Sequence, residues 1–508
     1  MSKSAEGTAP TAAEKSQVTD LRSALKLLEG IPGQLLRTDA EVDADAELAG
    51  VYRYVGAGGT VQRPTQIGPA MLFENIKGFP GVRIVAGIMA SRQRIAYMFD
   101  TPSEKLGAYL IEALNHGIPP VVTKAAKPPC QEVIHKDSVD LTKLLPVPSQ
   151  TKQDAGPYFS MGLLRASDPE TGESDVTIHR LCVQGPDTIS IWFTPGRHID
   201  EFRKKAEAKG QSLPVSVSIG IDPAIYLSSC FEPPTTPLGL DELSIAGGMR
   251  GKAVELCKCV SINEYAIANA EIVLEGEILP NVRVREDEKG KLGFAMPEFP
   301  GYNGPAKPAL PVMKVKAVTF RKNPIVQTIV GPGEEHVNLA GIPTEASILQ
   351  MVEQSMPGRL LNVYAHTSGG GKFLAVLKFK KSVPSDEGRQ RQAALTAFAA
   401  YPELKHVIVV DDDVDIFDTD DVLWAMTTRF QGDKSIVTIP NVMCHPLDPS
   451  NVPAFDPSIL AFGGACKTIF DCTVPFALKD QFKRAQFMEI SDERMKKFTT
   501  PTSKPLVL

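Results

Sequence analysis

Five side chains that could bind a charged ligand fall within one short stretch of the sequence, residues 175–198. They comprise a carboxylate, two imidazoles and two guanidinium groups: Asp175, His179, Arg180, Arg197 and His198. A carboxylate and an imidazole can share a divalent cation, whereas arginines suit a phosphate or a carboxylate. Charges in a half-buried hairpin are costly unless they pair or hold something charged. A ligand site is therefore one interpretation, and solvated charges on an edge strand are the other.

The elements that carry these residues are predicted to be two paired strands. Apolar and β-branched runs over 175–183 and 189–193 flank a Gly-Pro-Asp break, which is typical of a hairpin. The next element is predicted to be a helix over Glu201–Lys209, with Asp200 as its N-cap and Gly210 at its end. The two ends of such a hairpin would bring the carboxylate and an imidazole toward one cation.

Two further carboxylates have settings that suit chemistry. Glu242 lies in the segment Asp241–Gly247, where an acidic residue usually caps a helix but could also supply a third oxygen ligand. Glu298 lies among apolar and aromatic neighbours in Ala295–Tyr302, a loop fixed by Pro and Gly. Desolvation raises the pKa of a carboxyl group and makes it a usable proton donor. An exposed loop glutamate is the alternative interpretation.

Two histidines and a lysine are weaker candidates. His336 ends the glycine-containing run Gly331–His336, and His445 has a similar setting, so each could line a pocket or be structural. Lys372 follows three glycines that could cradle a phosphate, although the P-loop pattern is not met. The acidic run Asp411–Asp415 could bind Mg²⁺ or cap the helix predicted after it.

The composition narrows the class of protein. A chain of 508 residues is too long for one core and predicts roughly two to four domains. Its net charge of -6 argues against nucleic acid as an obligate partner, and no apolar run is long enough to span a membrane. Eight cysteines without a CxxC pair favour reduced thiols and a cytoplasmic location. Residues 1–16 are polar and predict a disordered tail.

The pattern along the chain predicts three regions. Alternating helical and strand patterns indicate an N-terminal α/β domain over 17–125. Strand-like runs separated by Pro and Gly dominate 126–325 and predict a closed or partly closed β-barrel. An α/β region over 326–480 follows, with a tail at 481–508. The stretch Ala317–Val330, which spans the boundary between the second and third regions, is predicted to be strand-rich, and a helix is expected over Thr344–Gln354.

Several motifs together resemble the UbiD family, whose members are reversible decarboxylases that use prenylated FMN. The resemblance covers residues 17 to 480 and rests on Asp175–Arg180, Gly196–His198, Asp241–Gly247, Ala270–Gly276, Asp411–Asp415 and Val422–Arg429. Similarity to the hydroxybenzoate branch, such as protocatechuate and gallate decarboxylases, rests on Glu47–Tyr52, Ala295–Tyr302 and Gly331–His336. The resemblance implies an α+β fold. Its central split β-barrel, related to flavin reductases, would lie between an N-terminal α/β domain and a C-terminal α/β oligomerisation domain.

The resemblance also implies a cofactor site. Family members hold the flavin phosphate through Mn²⁺, with K⁺ nearby, on an Asn, a His and a Glu whose positions here are Asp175, His198 and Glu242. The Asp in place of Asn keeps an oxygen ligand and adds a negative charge beside the phosphate. The implied cofactor-binding residues are Asp175, Val176, Thr177, Ile178, His179, Arg180, Arg197, His198, Glu242 and Lys372.

The implied catalytic residues are Arg180, which orients the carboxylate and the flavin, and Glu298, which donates a proton. Many family members have a second Glu five residues before the donor. That position is Gly293 here, so the Glu–Arg–Glu network is predicted to be incomplete. His336 or His445 could then replace the missing acid or base through the hydroxyl group of a phenolic substrate. The expected reaction is decarboxylation of a hydroxybenzoate, such as protocatechuate or gallate, through a covalent prenylated-flavin adduct.

Three other functions remain open. They are a decarboxylase of a heteroaryl acid (pyrrole, indole or phenazine carboxylate), a flavin reductase-like oxidoreductase that uses plain FMN, and a non-catalytic oligomeric scaffold. A hydride-transfer site does not need Arg180 together with Glu298. A scaffold need not keep both the metal-binding residues and the catalytic residues. The hydroxybenzoate decarboxylase is therefore favoured. The expected partners are a small aromatic acid, a flavin prenyltransferase that supplies the cofactor, and further copies of the chain in a homodimer or larger homo-oligomer.

Overall fold

The computed structural model describes residues 17–59, 66–194, 196–459 and 464–499. The tail predicted at 1–16 lies outside the described residues. Among the described residues, no helix is both long enough and apolar enough to cross a lipid bilayer. The described chain is a mixed α and β structure with one closed barrel and several smaller sheets.

The described α-helices are distributed along the whole chain. They are α1 (Leu21–Glu29), α2 (Glu47–Ala57), α3 (Arg92–Phe99), α4 (Leu106–Asn115), α5 (Leu141–Leu144), α6 (His198–Ala208), α7 (Pro223–Ser228), α8 (Glu242–Arg250), α9 (Glu334–Ser355), α10 (Arg389–Ala400), α11 (Thr419–Arg429) and α12 (Asp492–Thr499). Short 3₁₀ helices lie at Ser103–Lys105, Pro129–Gln131, Thr367–Gly369, Pro384–Asp386 and Phe476–Phe482.

The strands concentrate in the middle of the chain. They are β1 (Leu35–Thr38), β2 (Ala70–Phe73), β3 (Arg83–Ala86), β4 (Val121–Val122), β5 (Val133–His135), β6 (Tyr158–Ser167), β7 (Ser174–Val183), β8 (Thr188–Ile191), β9 (Leu213–Ile219), β10 (Glu255–Lys258), β11 (Tyr265–Ile267), β12 (Ile272–Val284), β13 (Phe294–Pro297), β14 (Asn303–Pro305), β15 (Leu310–Phe320), β16 (Ile325–Thr328), β17 (Leu360–Ala365), β18 (Leu374–Phe379), β19 (His406–Val410), β20 (Ile436–Val442) and β21 (Ala465–Cys472).

A closed antiparallel barrel of six strands forms the centre of the molecule. Its strand order is β12-β9-β6-β7-β8-β15, and pairing of β12 with β15 closes it, while β5 pairs with the C-terminal end of β15. Alternate apolar side chains of the strands, such as Leu164, Val217 and Leu274, are fully buried in one core. Closure removes the exposed strand edges that an open sheet would leave, so the barrel is a rigid support for side chains at its rim.

The predicted hairpin that carries the charged residues is confirmed. Strands β7 and β8 pair antiparallel, with Leu181 opposite Ile191 and Val183 opposite Ile189. The prediction of Asp200 as N-cap of the following helix was wrong.

Helix α6 starts earlier than predicted. Arg197 is its N-cap, His198 is its first residue, and Asp200 lies in its first turn. Asp200 accepts hydrogen bonds there from Arg203, and an acidic residue in the first turn is favoured by the helix dipole as much as one at the cap. His198 is therefore held at a helix N-terminus.

A second sheet combines strands from distant parts of the chain. Its order is β1-β2-β3-β16, and β16 (Ile325–Thr328) lies parallel to β3 (Arg83–Ala86). The strand-rich character predicted for Ala317–Val330 is confirmed, but the stretch is shared by two sheets, because residues 317–320 end β15 of the barrel and Ile325–Thr328 forms β16. Strand propensity does not specify which strand becomes the neighbour.

The C-terminal region is a five-stranded sheet, in the order β17-β18-β19-β21-β20, packed with α9 and α10. Helix α9 has 22 residues, so the predicted helix Thr344–Gln354 was too short. Pro343 lies inside α9 and Gly341 precedes it, and both residues ordinarily weaken a helix prediction. Gly341 is needed for packing, because a Cβ atom there would lie 3.1 Å from Cβ of Ala365 on β17.

Candidate active site

A cavity of about 270 Å³ lies between the barrel, the start of α9 and the C-terminal region. Its lining includes most of the polar residues that the sequence singled out: Thr177, His179, Arg180, Arg197, Glu298, His336, Lys372 and His445. Ile178 also lines it, whereas Val176 packs into a hydrophobic core. The arrangement brings charged groups of barrel strand β7 next to those of the C-terminal region.

Arg180 is held between two carboxylates at the wall of this cavity. Its Nε lies 3.0 Å from Oε1 of Glu286, and its Nη2 donates to Oε2 of the same residue at 3.1 Å. Its Nη1 forms an ion pair with Glu298. The guanidinium also lies 4.6 Å from the centroid of the Trp192 ring, a cation–π contact. Arg180 is thereby fixed in place with its charge shared by two acids.

The prediction that the Glu–Arg–Glu network is incomplete was wrong. Glu286 supplies the second carboxylate, although Gly293 stands at the position where the resemblance placed it. Glu286 lies just after β12, whose course along the barrel brings it next to β7. Its Oε1 accepts from Tyr158 at 3.2 Å and its Oε2 from the backbone N–H of Lys307 at 3.1 Å. The carboxylate is thus held rigidly from several sides.

Glu298 is a buried residue of a tight hairpin, and the exposed-loop alternative is excluded. Its side chain is 11% exposed, and its backbone N–H donates to the carbonyl of Tyr302 at 2.9 Å between β13 and β14. A Cβ atom on Gly304 would lie 2.7 Å from Cγ of Glu298, so only glycine leaves room for this carboxylate. The hairpin therefore aims Glu298 at Arg180.

Two neutral imidazoles line the cavity beside this hairpin. The ring of Phe299 makes edge contacts with His336 at 5.5 Å and His445 at 4.8 Å between centroids. Burial, followed by the charge of Lys372, lowers the pKa of His336 to about 4 and that of His445 well below its usual range. Both side chains are therefore uncharged near neutral pH and can hydrogen-bond a polar group of a ligand.

His336 lies in the first turn of α9, and not at a strand end as the sequence suggested. His179, the third imidazole of the cavity, has its Nδ1 3.2 Å from the backbone carbonyl of Trp192. Burial lowers the pKa of His179 to about 4.

A cluster of two cations and two carboxylates completes the wall. Glu232 lies 2.8 Å from Nη2 of Arg197 and 3.6 Å from Nζ of Lys372, and Glu403 lies 3.3 Å and 3.5 Å from the same two atoms. Burial alone would lower the pKa of Lys372, but the two carboxylates outweigh it and raise the pKa. Tyr401 donates to Glu403 at 3.1 Å. Sequence reasoning missed Glu232, Tyr401 and Glu403, since none of them stands in a recognisable motif.

Two of the three residues expected to bind a metal are in contact with each other. Nδ1 of His198 lies 3.4 Å from Oδ1 of Asp175. Oε2 of Glu242 is buried and accepts no hydrogen bond from the residues that the structure describes, and burial followed by the charge of Asp175 raises the pKa of Glu242 to about 9. Asp241 is the N-cap of α8, so Glu242 itself does not serve as the cap.

This donor set fits a divalent cation in its chemistry. Two carboxylates and an imidazole suit Mn²⁺, and a cation would give the orphaned Glu242 oxygen a partner. Within the part of the chain that the structure describes, however, no group of three or more His, Cys, Asp or Glu side chains is arranged so that it could hold a metal. None of these three residues is part of the cavity lining. Asp175 and His198 are therefore in contact, but together with Glu242 they do not form a complete metal site in the part of the chain that is described.

Comparison with known proteins places the chain in a family. Domain models described as 3-octaprenyl-4-hydroxybenzoate carboxy-lyase match its N-terminal part (29–114), its Rift-related part (121–334) and its C-terminal part (337–472). Together they span most of the chain. The protein belongs to the UbiD family.

Relatives of high similarity are decarboxylases. Gallate decarboxylase of Lactiplantibacillus plantarum is 50% identical over 481 residues, which are 94% of this chain and 98% of that protein. The apo structure of a 3,4-dihydroxybenzoic acid decarboxylase from Enterobacter cloacae is 57% identical, with a TM-score of 0.90 over 95% of this chain and 99% of that one.

A solved structure with the cofactor is more distant. An evolved dimeric form of the UbiD-class enzyme HmfF from Pelotomaculum thermopropionicum, in complex with prFMN, is 34% identical, with a TM-score of 0.79 over 92% of this chain and 97% of that one. Within the family, this protein lies in the hydroxybenzoate decarboxylase branch.

Proposed function

We propose that this protein is a prenylated-FMN-dependent carboxy-lyase that decarboxylates an aromatic acid with ring hydroxyl groups, such as 3,4-dihydroxybenzoate (protocatechuate) or gallate. The observation that carries the proposal is the buried arrangement of Arg180 between Glu286 and Glu298 in a cavity that also holds neutral His336 and His445. The arginine and the two glutamates suit the binding of a substrate carboxylate and a proton transfer, and the imidazoles suit hydrogen bonds to phenolic hydroxyl groups. Relatives named for gallate and 3,4-dihydroxybenzoic acid support this substrate class.

The barrel and the residues of β7 are proposed to form the flavin site. When bound, prenylated FMN supplies the electron sink that loss of CO₂ from an aryl carboxylate requires. Asp175, His198 and Glu242 would hold Mn²⁺, with K⁺ nearby, against the flavin phosphate. Arg197 and Lys372 pair with carboxylates, so we assign them to the side of the cavity that faces the ring hydroxyl groups of the substrate and not to the flavin phosphate.

Residues of the chain bind the substrate carboxylate and transfer the proton. Arg180 binds and orients the substrate carboxylate, and Glu286 keeps its guanidinium in place after Glu298 leaves the ion pair. Decarboxylation consumes one proton for each CO₂ released. Glu298 is paired with Arg180 here, so it must take up a proton from solvent before it delivers that proton to the ring carbon. Because Glu298 is buried in its hairpin, the delivery of this proton to the ring carbon takes place away from bulk water.

The proposal extends to assembly and location. Large apolar side chains are exposed near the C-terminus, including Phe455 at 70% and Phe487 at 92%, which supports a homo-oligomer in which this region is covered. We also propose the division into domains at 17–125, 126–325 and 326–480, a cytoplasmic location, and a flavin prenyltransferase as the source of cofactor.

The proposed function is tested by co-expression with a flavin prenyltransferase. The purified protein should show the absorption of a bound flavin and convert 3,4-dihydroxybenzoate to catechol, or gallate to pyrogallol, with release of CO₂. A panel that includes pyrrole-2-carboxylate tests the heteroaryl alternative, and NADH oxidation tests the oxidoreductase. Turnover of pyrrole-2-carboxylate with none of the hydroxybenzoates, or NADH oxidation without CO₂ release, would contradict the proposal.

A further inference from the structure

A buried carboxylate that the proposed chemistry does not use lies in the cavity wall. Glu403 is only 3% exposed and lies in the loop between α10 and β19. Its carboxylate is surrounded by Tyr401 of the same loop and by side chains from three distant parts of the chain, Arg197, Lys372 and His445. A charge in such a place is costly unless it is well paired, and here every neighbour also lines the cavity. This placement indicates a role in the site.

The two oxygens of Glu403 have different partners. Oε1 faces Arg197, whereas Oε2 lies 3.5 Å from Nζ of Lys372, 3.1 Å from the hydroxyl of Tyr401 and 3.3 Å from Nε2 of His445. The loop is also tied to the His445 segment by the thiol of Cys444, which donates to the backbone carbonyl of Glu403 at 3.7 Å. Glu403 thus links the ammonium group and the imidazole into one unit.

The contacts of His445 fix which of its nitrogens carries the hydrogen. Its Nδ1 accepts a hydrogen bond from the backbone N–H of Leu447 at 3.1 Å. A neutral imidazole has one donor and one acceptor nitrogen, so Nε2 carries the hydrogen, and this nitrogen lies 3.3 Å from Oε2 of Glu403. His445 is therefore a hydrogen-bond donor on this side of the cavity and is not available as a base.

We infer that Glu403 is a positioning residue that makes this wall a donor surface for ring hydroxyl oxygens, and so selects hydroxylated aromatic acids. The inference rests on the proposed function. Glu403 holds the ammonium of Lys372 beside His445, and a remaining N–H of this ammonium donates to a phenolic oxygen and stabilises its ionised form. A ring without hydroxyl groups would leave that N–H of the buried ammonium without a partner, which disfavours its binding.

The variant Glu403→Gln keeps the shape of the side chain and removes its charge. In the flavin-loaded protein, kcat/KM for 3,4-dihydroxybenzoate should fall by about 10- to 100-fold, the loss typical of a charged hydrogen bond. Inhibition by benzoate, which lacks the hydroxyls, should change by less than about threefold. A fall in the affinity for both ligands by the same factor would overturn the inference, because it would indicate general damage to the cavity.

A pH profile gives a readout that a purely structural role would not change. Lys372 is faced by Arg197, Cys230, Glu232, Tyr401, the two imidazoles of His336 and His445, and Glu403 itself. Loss of the Glu403 charge removes a group that favours the ammonium form, so the alkaline limb of kcat/KM should move to lower pH. An unshifted limb in Glu403→Gln would contradict the inference.

Two further variants separate charge from packing. Tyr401→Phe removes the hydrogen bond to Glu403 but keeps every charge, and it should leave the alkaline limb in place with a loss of only a few-fold, roughly the value of one neutral hydrogen bond. If it reproduced Glu403→Gln, the charge would not be the cause. If Glu403→Gln does not fold, the test uses Lys372→Gln and the double variant Lys372→Gln/Glu403→Gln, which removes one positive and one negative charge together.

If Glu403→Gln does not fold, we expect Lys372→Gln and Lys372→Gln/Glu403→Gln to lose the preference for hydroxylated over unhydroxylated ligands to the same extent. The reason is that Glu403 acts through Lys372. A further loss in the paired variant would overturn the inference. Failure of the proposed function is distinguishable, since the wild-type protein would then decarboxylate no hydroxybenzoate. Normal wild-type turnover with an unaltered Glu403→Gln variant would contradict only the role of Glu403.

Discussion

Arg180 and Glu286 form a two-point ion pair, with Nε 3.0 Å from Oε1 and Nη2 3.1 Å from Oε2. The pair joins strand β7 of the barrel to the segment after β12, and the Glu286 side chain is only 1% exposed. A buried pair of this kind fixes the direction of the guanidinium as well as its charge. It leaves the remaining Nη1 of Arg180 to meet Glu298, and then a substrate carboxylate.

The variant Glu286→Gln should therefore lose turnover even though Glu286 transfers no proton in the proposed reaction. A misplaced Arg180 guanidinium should lower kcat by roughly 10²-fold while flavin content stays normal. Steady-state kinetics with 3,4-dihydroxybenzoate and the flavin absorption spectrum check both points. Glu288→Gln is the matched control, because Glu288 is exposed and only two residues away. Wild-type kcat in Glu286→Gln would show that Arg180 needs no second carboxylate.

Gly304→Ala tests whether the hairpin positions Glu298. The added Cβ would lie 2.7 Å from Cγ of Glu298, so the carboxylate must move away from Arg180. We expect kcat to fall by at least about tenfold, since small displacements of a reacting group are costly. Gly290→Ala is the control, because its Cβ would meet only the Leu292 side chain at 3.5 Å. Equal activity of the two variants would mean that the hairpin has room to adapt.

Loss of a metal ligand should empty the flavin site. His198→Ala removes the imidazole that contacts Asp175, so the protein should purify with little flavin and little manganese, as measured by absorbance and by elemental analysis. His116→Ala is the control, since the His116 side chain is 70% exposed on the surface. Full flavin occupancy in His198→Ala would exclude this residue from the cofactor site.

The buried imidazoles predict a loss of stability in mild acid. Burial lowers the pKa values of His179 and His336 to about 4, below the ordinary value of 6.5 that the unfolded chain has. Between these values the unfolded chain binds protons that the folded chain does not. The free energy of unfolding should therefore fall as the pH drops from about 6.5 to about 4, with a slope of up to about 1.4 kcal/mol per pH unit for each imidazole.

Urea unfolding between pH 4 and pH 7 measures this slope. The variant His336→Gln should show a shallower pH dependence than the wild type, whereas His116→Gln, at an exposed position, should not. The same slope in all three proteins would mean that His336 is protonated in the folded state.

Local pattern predicted a large part of this fold. The alternation of apolar residues around the Gly-Pro-Asp break located the β7–β8 hairpin, because its period and its turn are encoded within one short segment. Pairing between distant strands was not encoded in this way. Strand β16 has ordinary strand character, and only the folded chain shows that it lies beside β3. The length of α9 was underestimated because Pro343 is tolerated inside it.

The sequence likewise predicted some residues of the candidate site and missed others. Arg180, Glu298, His336 and His445 stood in motifs and do line one cavity. Glu286 and Glu403 could not be found from spacing, since they meet their partners only through the closure of the barrel and the return of the chain after α10. Carboxylates that act by holding other side chains carry no sequence signal of their own.

The proton donor is the centre of the proposed reaction, and hydrogen isotope exchange tests it most directly. Glu298→Gln keeps the volume of the side chain and removes its transferable proton, so flavin binding should survive while decarboxylation falls by about 10²- to 10⁴-fold. In heavy water, the loaded wild-type protein should place deuterium on the ring carbon that loses CO₂ and should exchange that position in added catechol.

We expect Glu298→Gln to lose this exchange together with turnover, while Glu288→Gln keeps both. Near-normal decarboxylation and exchange in Glu298→Gln would contradict the assignment, and His336 would then be the first alternative donor to test.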